Sequence, residues 1–393
     1  MYKILPIKGN LDQIDGFFCD GIHSGLKANK KLDLGFIYSD TLCDVEAMFT
    51  SNKFQAAPIK HYKKYEKGFQ TNFVLINSKN ANALTGKSGV DDINTIFSSL
   101  SFETTNPIMS STGVIGTPLP KEKIILATSN FNLSSKNGEN LANAIMTTDA
   151  YTKTCMYEVE LKDGKSFKIG AIAKGAGMIN PNLATMLCFI CTDAKVPKED
   201  MQEALKLASF TTFNAISVDG DTSTNDTVLL LSNRKSQVYD AEAFTEVLRL
   251  VMHDMSMLIV ADGEGAKKVV SFEVINAISN EEAQIAAKAL SNSLLVKTAL
   301  FGEDPNFGRI ASTIGASNIT CDEETLLISY NDVIVFNKGK PCLDSLQEIN
   351  AIKVLKKDEF KIVCDLGIGK GAFTAYGCDL GYKYIEINTN YRS

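Results

Sequence analysis

The segment from Lys174 to Leu187 constrains the fold and chemistry of this 393-residue chain more than any other. Its two glycines and its proline favour a tight, irregular backbone. The apolar run that follows, Met186–Cys191, is typical of a strand buried on both faces. The segment therefore predicts a turn that delivers Thr185 to the beginning of a buried strand.

A hydroxyl group at such a junction can reach the carbonyl that precedes it. Attack by Thr185 Oγ1 on the carbonyl of Ala184 would give an ester, and its hydrolysis would leave Thr185 as a new N-terminus. A free α-amine has a pKa of about 7.7–8.0 and can take the proton from its own hydroxyl group. From this segment alone, Thr185 can equally be the β-branched first residue of a strand, with glycines that only shape the turn.

A second glycine-containing segment, Ser110–Gly116, follows a short apolar strand and suits acyl-transfer chemistry. The backbone N–H of Gly113 can approach a developing oxyanion closely, and Thr112 adds a hydroxyl or amide donor. A simple turn is the alternative for this segment.

The few histidines favour a nucleophile that needs no imidazole. His23, His61 and His253 do not lie beside a recognisable nucleophile elbow, so structural roles are expected. Glu264 lies between two glycines after a predicted helix. It can bind a substrate ammonium group or simply belong to a C-terminal helix turn.

Two loops, 77–83 and 219–226, are dense in Asn, Asp, Ser and Thr side chains that bond their own backbone. The second loop lacks EF-hand spacing and a closing glutamate, which argues against calcium. We expect both loops to line a pocket.

Composition excludes several functional classes. A net charge of −6 without a convincing basic cluster argues against nucleic-acid or anionic-membrane partners. The N-terminus lacks the apolar region of a signal peptide, so a cytoplasmic protein is expected. Nine cysteines, an odd number, fit reduced thiols. Cys188 and Cys191 would point to opposite faces of a strand, so no metal site is predicted.

Short β-like runs interleaved with helical patterns predict an α/β or α+β fold, with a β-richer C-terminal part and a softer subdivision near residue 275. The predicted strands are 34–37, 73–76, 108–111, 167–172, 186–192, 227–231, 269–275, 326–330, 333–336, 360–365 and 384–388, and the predicted helices are 90–100, 138–146, 198–210, 241–257 and 280–294.

From Gly21 to Ser393 the chain resembles the glutamate N-acetyltransferases, or ornithine acetyltransferases, of arginine biosynthesis. The resemblance rests on an ordered series of motifs across nearly the whole chain. They are Phe49–Asn52, the Asn77 loop, Ser111–Gly116, Met146–Asp149, Lys174–Leu187, Ser217–Thr227, Asp262–Ala266, Phe301–Arg309 and Ile387–Ser393.

The resemblance implies an Ntn-hydrolase-like layered α/β sandwich that cleaves itself between Ala184 and Thr185. The products would be an α chain of residues 1–184 and a β chain of residues 185–393, which stay together in one catalytic unit. A heterotetramer of two α and two β chains is the usual family assembly. The nucleophile would be Thr185, Thr112 and Gly113 would form the oxyanion hole, and the substrate contacts would be Thr148, Lys174, Thr185, Glu264, Asn388 and Ser393.

The implied reaction is a ping-pong transfer of acetyl from N2-acetylornithine to glutamate through acetyl-Thr185, without a cofactor. The resemblance leaves open whether acetyl-CoA also serves as a donor. Two alternatives use the same residues: an N-terminal-nucleophile amidohydrolase or aminopeptidase, and an uncleaved amino-acid-binding protein without turnover. The sequence departs from the family at Lys79, Leu84, Ala176 and Phe307, where Gly, Cys, Ser or Gly, and Trp are common.

Overall fold

The computed structural model describes residues 2–180 and 186–390, and in these ranges it has two β-sheets covered by helices. The α/β class predicted from the alternating patterns is thereby confirmed. The strands are β1 Tyr2–Pro6, β2 Phe17–Ile22, β3 Leu34–Phe49, β4 Gln70–Asn77, β5 Ile108–Ser111, β6 Lys153–Leu161, β7 Ser166–Lys174, β8 Leu187–Thr192, β9 Ile216–Ser217, β10 Thr227–Ser232, β11 Val269–Ala277, β12 Leu327–Tyr330, β13 Val333–Asn337, β14 Lys340–Pro341, β15 Glu359–Asp365 and β16 Gly371–Cys378.

Most predicted helices occur within two residues of their expected starts, and α6 extends four residues further than expected. Short 3-10 turns lie at Leu11–Gln13 and Phe213–Ala215. The helices are α1 Ala57–Tyr62, α2 Ser88–Ser98, α3 Lys121–Thr128, α4 Gly138–Ile145, α5 Lys198–Phe210, α6 Ala241–Ala261, α7 Asn280–Asn292, α8 Leu294–Phe301, α9 Phe307–Gly315, α10 Ser345–Leu355 and α11 Tyr382–Asn390.

The first sheet has the order β1-β6-β7-β8-β10-β3-β4-β5, with β2 beside β3. All side chains of β8 and β10 are buried, because both faces of the sheet are covered. Cys188 and Cys191 belong to separate apolar clusters, so they face opposite sides of β8 as predicted. The two strands run parallel, with Thr227 opposite Leu187, so both begin at the same edge of the sheet.

The second sheet has the order β14-β13-β12-β15-β11-β16-β9 and its own apolar core with α7 to α10. Helix α6 packs against β6 and β7 of the first sheet and also contacts β16 of the second. The Asp240 carboxylate caps α6 by accepting a hydrogen bond from Ala243 N at 2.9 Å. At its other end α6 passes into a turn in which Gly265 has a φ of +75°, and this turn carries Glu264. No helix within residues 2–180 and 186–390 has the length and apolarity needed to cross a membrane.

The strand predicted at residues 384–388 is wrong, because these residues lie in α11. Their alternating apolar and polar side chains suit a strand, but tertiary contacts override that preference. In the helix, Tyr384 and Asn388 are four residues apart and share one face. Tyr384 Oη donates to Asp219 Oδ2 at 3.3 Å, and Asn388 Nδ2 donates to Glu264 Oε2 at 2.6 Å.

Asp193, which follows β8, predicts a measurable pH dependence of stability. Burial raises the pKa of Asp193 to about 6, while its Oδ1 accepts a hydrogen bond from Lys168 N at 2.8 Å. The unfolded value is about 3.9. The folded state therefore binds more protons between these values, and stability falls as the pH rises from about 4 through 6.

Asp193→Asn keeps the acceptor oxygen and removes the charge. We expect it to raise the free energy of unfolding by about 2 kcal/mol at pH 7.5 and to have little effect near pH 4.5. Urea unfolding at the two pH values measures this difference. Asp163 is exposed, and Asp163→Asn serves as the control. It should leave the difference in the free energy of unfolding between the two pH values as in the wild type. Equal effects of Asp193→Asn at both pH values would contradict the assignment.

Candidate active site

A cavity opens at the edge of the first sheet where β7 ends and where β8 and β10 begin. Lys174 is the last residue of β7, Leu187 the first of β8 and Thr227 the first of β10. The loops after β4 and β5 and the turn after α6 reach the same place. The described lining residues include Ala81, Thr112, Gly113, Ile115, Thr147, Thr148, Lys174, Gly175, Gly177, Met178, Ile179, Met186, Leu187, Ser223, Asn225, Asp226, Glu264 and Asn388.

Asn225 joins the loops that surround the cavity. Its Nδ2 donates to Ala81 O at 2.6 Å and to Ser111 O at 2.8 Å. These bonds fix the loop before β10 against the loop that follows β4 and against the end of β5. The expectation that both polar loops line a pocket is therefore confirmed through Ala81 of the first loop and Ser223, Asn225 and Asp226 of the second.

Lys174 brings a positive charge to Thr112. Its Nζ donates to Thr112 Oγ1 at 3.4 Å, and the lysine side chain is buried. The backbone N–H of Thr112 donates to Asn77 O at 3.0 Å. Of the two donors that the sequence left open at Thr112, the amide is thus already used, and the hydroxyl group is the one that can serve an oxyanion.

Asp149 interacts with the charge of Lys174 and binds the backbone of the next residue. Burial alone would raise the pKa of Asp149, but the positive charges of Lys174 and Lys153 hold it well below its usual value. Asp149 Oδ1 accepts hydrogen bonds from Gly175 N at 2.7 Å and from Lys153 Nζ at 2.8 Å. The ionised carboxylate therefore fixes the backbone immediately after Lys174 and balances its charge.

Gly113 is placed where only glycine fits. Its φ is +130°, and an added Cβ would lie 2.2 Å from the carbonyl carbon of Lys79 and 2.6 Å from Asn80 N. Lys79 has a φ of +76°, a conformation that favours glycine, although the sequence has lysine there. Lys79 therefore holds a backbone conformation that glycine adopts more readily, at the point where the two loops approach closely.

Glu264 enters the cavity from the turn after α6 and lies directly on Gly177. A Cβ on Gly177 would be 2.5 Å from the carboxyl carbon of Glu264. The Glu264 backbone N–H donates to Ala176 O at 2.9 Å, and its Oε2 accepts from Asn388 Nδ2. Of the two readings of Glu264, a side chain directed into a binding cavity agrees with this position.

Asp219 holds the backbone that leads towards the predicted cleavage position. Its carboxylate accepts hydrogen bonds from Met178 N at 2.6 Å and Ile179 N at 2.8 Å. Thr222 Oγ1 donates to Asn180 O at 3.1 Å. The irregular backbone predicted here is seen up to Asn180, with Met178 at a φ of +56°, and the rest of the predicted turn, residues 181–185, lies outside the described residues.

The structure brings together the predicted residues Thr112, Gly113, Thr148, Lys174, Glu264 and Asn388 in one cavity. Ala184, Thr185 and Ser393 lie outside the described residues, so their roles stay predictions. None of the three histidines lines the cavity. Among the described residues there is no group of three His, Cys, Asp or Glu side chains that could hold a metal ion.

The sequence does not indicate individual roles for Asp149, Asp219, Asn225 and Asp226. Their segments belong to recognisable motifs, but a motif does not show which carboxylate supports which neighbour. The high density of Asp and Asn between residues 219 and 226 was the signal available for three of them.

The amino-acid sequence matches the model of the ArgJ family over residues 18–393. The chain belongs to the ArgJ family. A relative from Wolinella succinogenes, an arginine biosynthesis bifunctional protein ArgJ, is 55% identical over 396 residues, which cover 100% of both chains. A relative of the same name from Oceanobacillus iheyensis is 39% identical over 399 residues, with 98% of this chain and 97% of its own covered.

A crystal structure of the arginine biosynthesis bifunctional protein argJ from Bacillus halodurans is 39% identical, with a TM-score of 0.51. The match covers 53% of this chain and 100% of that one. Membership of the ArgJ family makes this chain an acyltransferase that moves acetyl groups in arginine biosynthesis. The Ntn-hydrolase-like α/β fold that the resemblance implied is confirmed.

The contact between Gly177 and Glu264 predicts a selective effect on substrate binding. In Gly177→Ala the new methyl group would occupy the place of the Glu264 carboxylate, which must turn away from the cavity. We expect KM for the donor to rise about tenfold or more, since a charged hydrogen bond contributes roughly 1.5–3 kcal/mol. Steady-state kinetics measure it. Gly315→Ala, with no atom near the added Cβ, is the control. An unchanged KM in Gly177→Ala would contradict the predicted role of Glu264 as a substrate contact.

Proposed function

We propose that this chain transfers acetyl from N2-acetylornithine to glutamate by a ping-pong reaction through acetyl-Thr185. One observation carries the proposal. A buried lysine, a threonine hydroxyl group, a closely approached glycine and a buried glutamate surround the beginning of β8. Met186, which follows Thr185 in the sequence, is itself part of that lining.

Self-cleavage between Ala184 and Thr185 is part of this proposal. The hydrogen bonds of Asp219 to Met178 and Ile179 hold the incoming backbone, and β8 holds the chain from Leu187 onward. The Bacillus halodurans chain supports the proposal in its proportions. The match includes all of that chain but only 53% of this one. Residues 185–393 make up the same share of this chain.

The chemistry follows from the arrangement of charges. The new α-amine takes the proton of the Thr185 hydroxyl group, and the oxygen attacks the acetyl carbonyl. The hydroxyl group of Thr112 and the backbone of Gly113 stabilise the oxyanion. Lys174, through its contact with Thr112 Oγ1, polarises that hydroxyl group and adds positive potential where negative charge develops.

Both amino-acid substrates carry an α-carboxylate, whereas ornithine alone carries a side-chain ammonium group. We assign Lys174 to the shared carboxylate and Glu264, with Asn388, to the ammonium group of the donor. Thr148 and Ser393 are proposed as further substrate contacts. Since the acetyl ester must wait for glutamate, water has to be excluded from it.

Three further features belong to the same proposal. The relatives are named bifunctional, which supports acetyl-CoA as a second donor. The assembly would be a heterotetramer of two α chains, residues 1–184, and two β chains, residues 185–393. The reaction would take place in the cytoplasm.

Denaturing mass spectrometry tests the proposal. We expect the wild type to give two fragments that meet between Ala184 and Thr185, and the second fragment should gain one acetyl group from N2-acetylornithine or acetyl-CoA. Thr185→Ala should stay intact and unmodified. Added glutamate should remove the acetyl group and yield N-acetylglutamate. Rapid loss of acetyl without glutamate would instead indicate a hydrolase, and an intact, unmodified wild-type chain would refute the mechanism.

A further inference from the structure

Asp226 is a buried carboxylic acid in the cavity that the mechanism above does not use. It is 2% exposed and directly precedes β10. Thr227 N donates to Met186 O at 2.8 Å, so this end of β10 is bonded to the residue after the proposed nucleophile. Asp226 therefore lies beside the beginning of β8, where acyl transfer would occur.

One oxygen of this carboxyl group has no partner. Asp226 Oδ2 is buried and makes no hydrogen bond to any residue within 2–180 and 186–390. A buried polar atom without a partner costs roughly 1–3 kcal/mol. Asp226 belongs to the cavity lining, so a turn of its side chain that brings this oxygen to a bound substrate would supply the missing partner.

The surroundings favour the protonated form of this group. Burial raises the pKa of Asp226 well above its usual value, although Ser223, Thr50 and the charge of Lys174 act in the opposite direction. Lys174 faces it from β7, and Glu264 faces the same cavity from the turn after α6. A neutral carboxylic acid can donate a proton at pH 7, which an ordinary aspartate cannot.

We infer that Asp226 is the general acid that protonates the departing amine of the donor and the general base that deprotonates the attacking amine of the acceptor. This inference rests on the proposed acetyl transfer. The two half-reactions expel and admit the same kind of group, the α-amine of an amino acid. One carboxyl group at the position of that nitrogen can therefore serve in both directions.

The protons balance in each half-reaction. In the first, the Thr185 hydroxyl proton passes to the α-amine, the C–O bond forms, and Asp226 gives its proton to nitrogen as the C–N bond breaks. In the second, the Asp226 carboxylate takes a proton from the attacking amine as the new C–N bond forms. The C–O bond of the ester then breaks, and the α-ammonium group returns its proton to Thr185 Oγ1.

A comparison of two acetyl donors tests the assignment. N2-acetylornithine must release an amine, which needs a proton, whereas 4-nitrophenyl acetate releases a stable phenolate, which does not. In Asp226→Asn, acetylation by saturating N2-acetylornithine should slow by about 10²–10⁴-fold. Acetylation by the ester should stay within about threefold of wild type. Mass spectrometry of the fragment that begins at Thr185 measures both rates.

Asp379→Asn is the matched control. Asp379 is likewise 2% exposed, and its Oδ2 is likewise buried without a partner among the described residues, but it does not line the cavity. This variant should react normally with both donors. Equal slowing of both donors in Asp226→Asn, or normal rates with both, would overturn the assignment.

A second measurement uses the wild type, so it does not depend on self-cleavage of the variant. We compare the rate of acetylation by saturating N2-acetylornithine, an amide, with the rate by saturating 4-nitrophenyl acetate, an ester. The ratio of the first rate to the second should fall as the pH rises, because only the reaction with the amide needs protonated Asp226. A ratio that does not change with pH would overturn the role. If N2-acetylornithine does not acetylate the wild type at all, the proposed function itself fails, and the two failures are thus distinguishable.

Discussion

Lys153→Met should lower the free energy of unfolding by about 3–5 kcal/mol, because it leaves two buried carboxylates without their shared cation. Lys153 Nζ lies 2.8 Å from Asp149 Oδ1 and 2.5 Å from Asp262 Oδ2. The side chains of Lys153 and Asp149 are fully buried, and that of Asp262 is 5% exposed. Burial, and to a smaller extent the charge of Asp149, raise the pKa of Asp262 despite the lysine.

The effect should extend to catalysis, since the same carboxylates hold the active-site backbone. Asp149 accepts from Gly175 N, and Asp262 Oδ2 accepts from Ala150 N at 3.0 Å. Repulsion between the carboxylates would displace the residue after Lys174. We therefore expect slower acetylation of the surviving folded protein as well as a lower midpoint of urea unfolding.

Two companion variants make this prediction specific. Lys165→Met breaks the exposed pair with Asp163 and should leave the midpoint unchanged. Asp262→Asn added to Lys153→Met removes one of the two opposing charges and should recover part of the loss. A Lys153→Met midpoint equal to that of the wild type would show that the buried triad does not stabilise the fold.

Gly113→Ala should lower kcat by about 10²–10³-fold, the usual cost of losing an oxyanion donor, which is the role proposed for Gly113. The added Cβ would meet backbone atoms of Lys79 and Asn80 within 2.6 Å, so the two loops must move apart. This movement displaces Gly113 and the neighbouring Thr112 hydroxyl group from the cavity. Single-turnover acetylation followed by mass spectrometry measures the loss directly.

Gly116→Ala is the control that introduces backbone strain without the close contact that Gly113→Ala makes with Lys79 and Asn80. Gly116 lies in the same loop and also has a positive φ, of +79°, but no atom lies within 4 Å of its added Cβ. It should lose some stability and keep a kcat near that of the wild type. If the two alanine variants were equally slow, the close approach of Gly113 to the Lys79 loop would not be what matters.

The local elements could largely be predicted because their signals are local. The burial of β8 follows from an unbroken apolar run, and α5 begins and ends at the predicted residues 198 and 210. The prediction failed at α11, where the alternation of side chains suits a strand. There Tyr384 bonds to Asp219 and Asn388 to Glu264 from the helix, and these contacts join segments that are distant in the sequence.

The sequence by itself determined the chemical groups of the site and the family, because the motifs carry residue types in a fixed order. Only the tertiary structure decided which donor of Thr112 is free, which carboxylate supports Lys174, and that Asp226 lies in the cavity with an unpartnered oxygen. These properties depend on distances between segments as far apart as Thr112 and Lys174. Desolvation and hydrogen bonding act across such distances in space, and one-dimensional spacing does not record them.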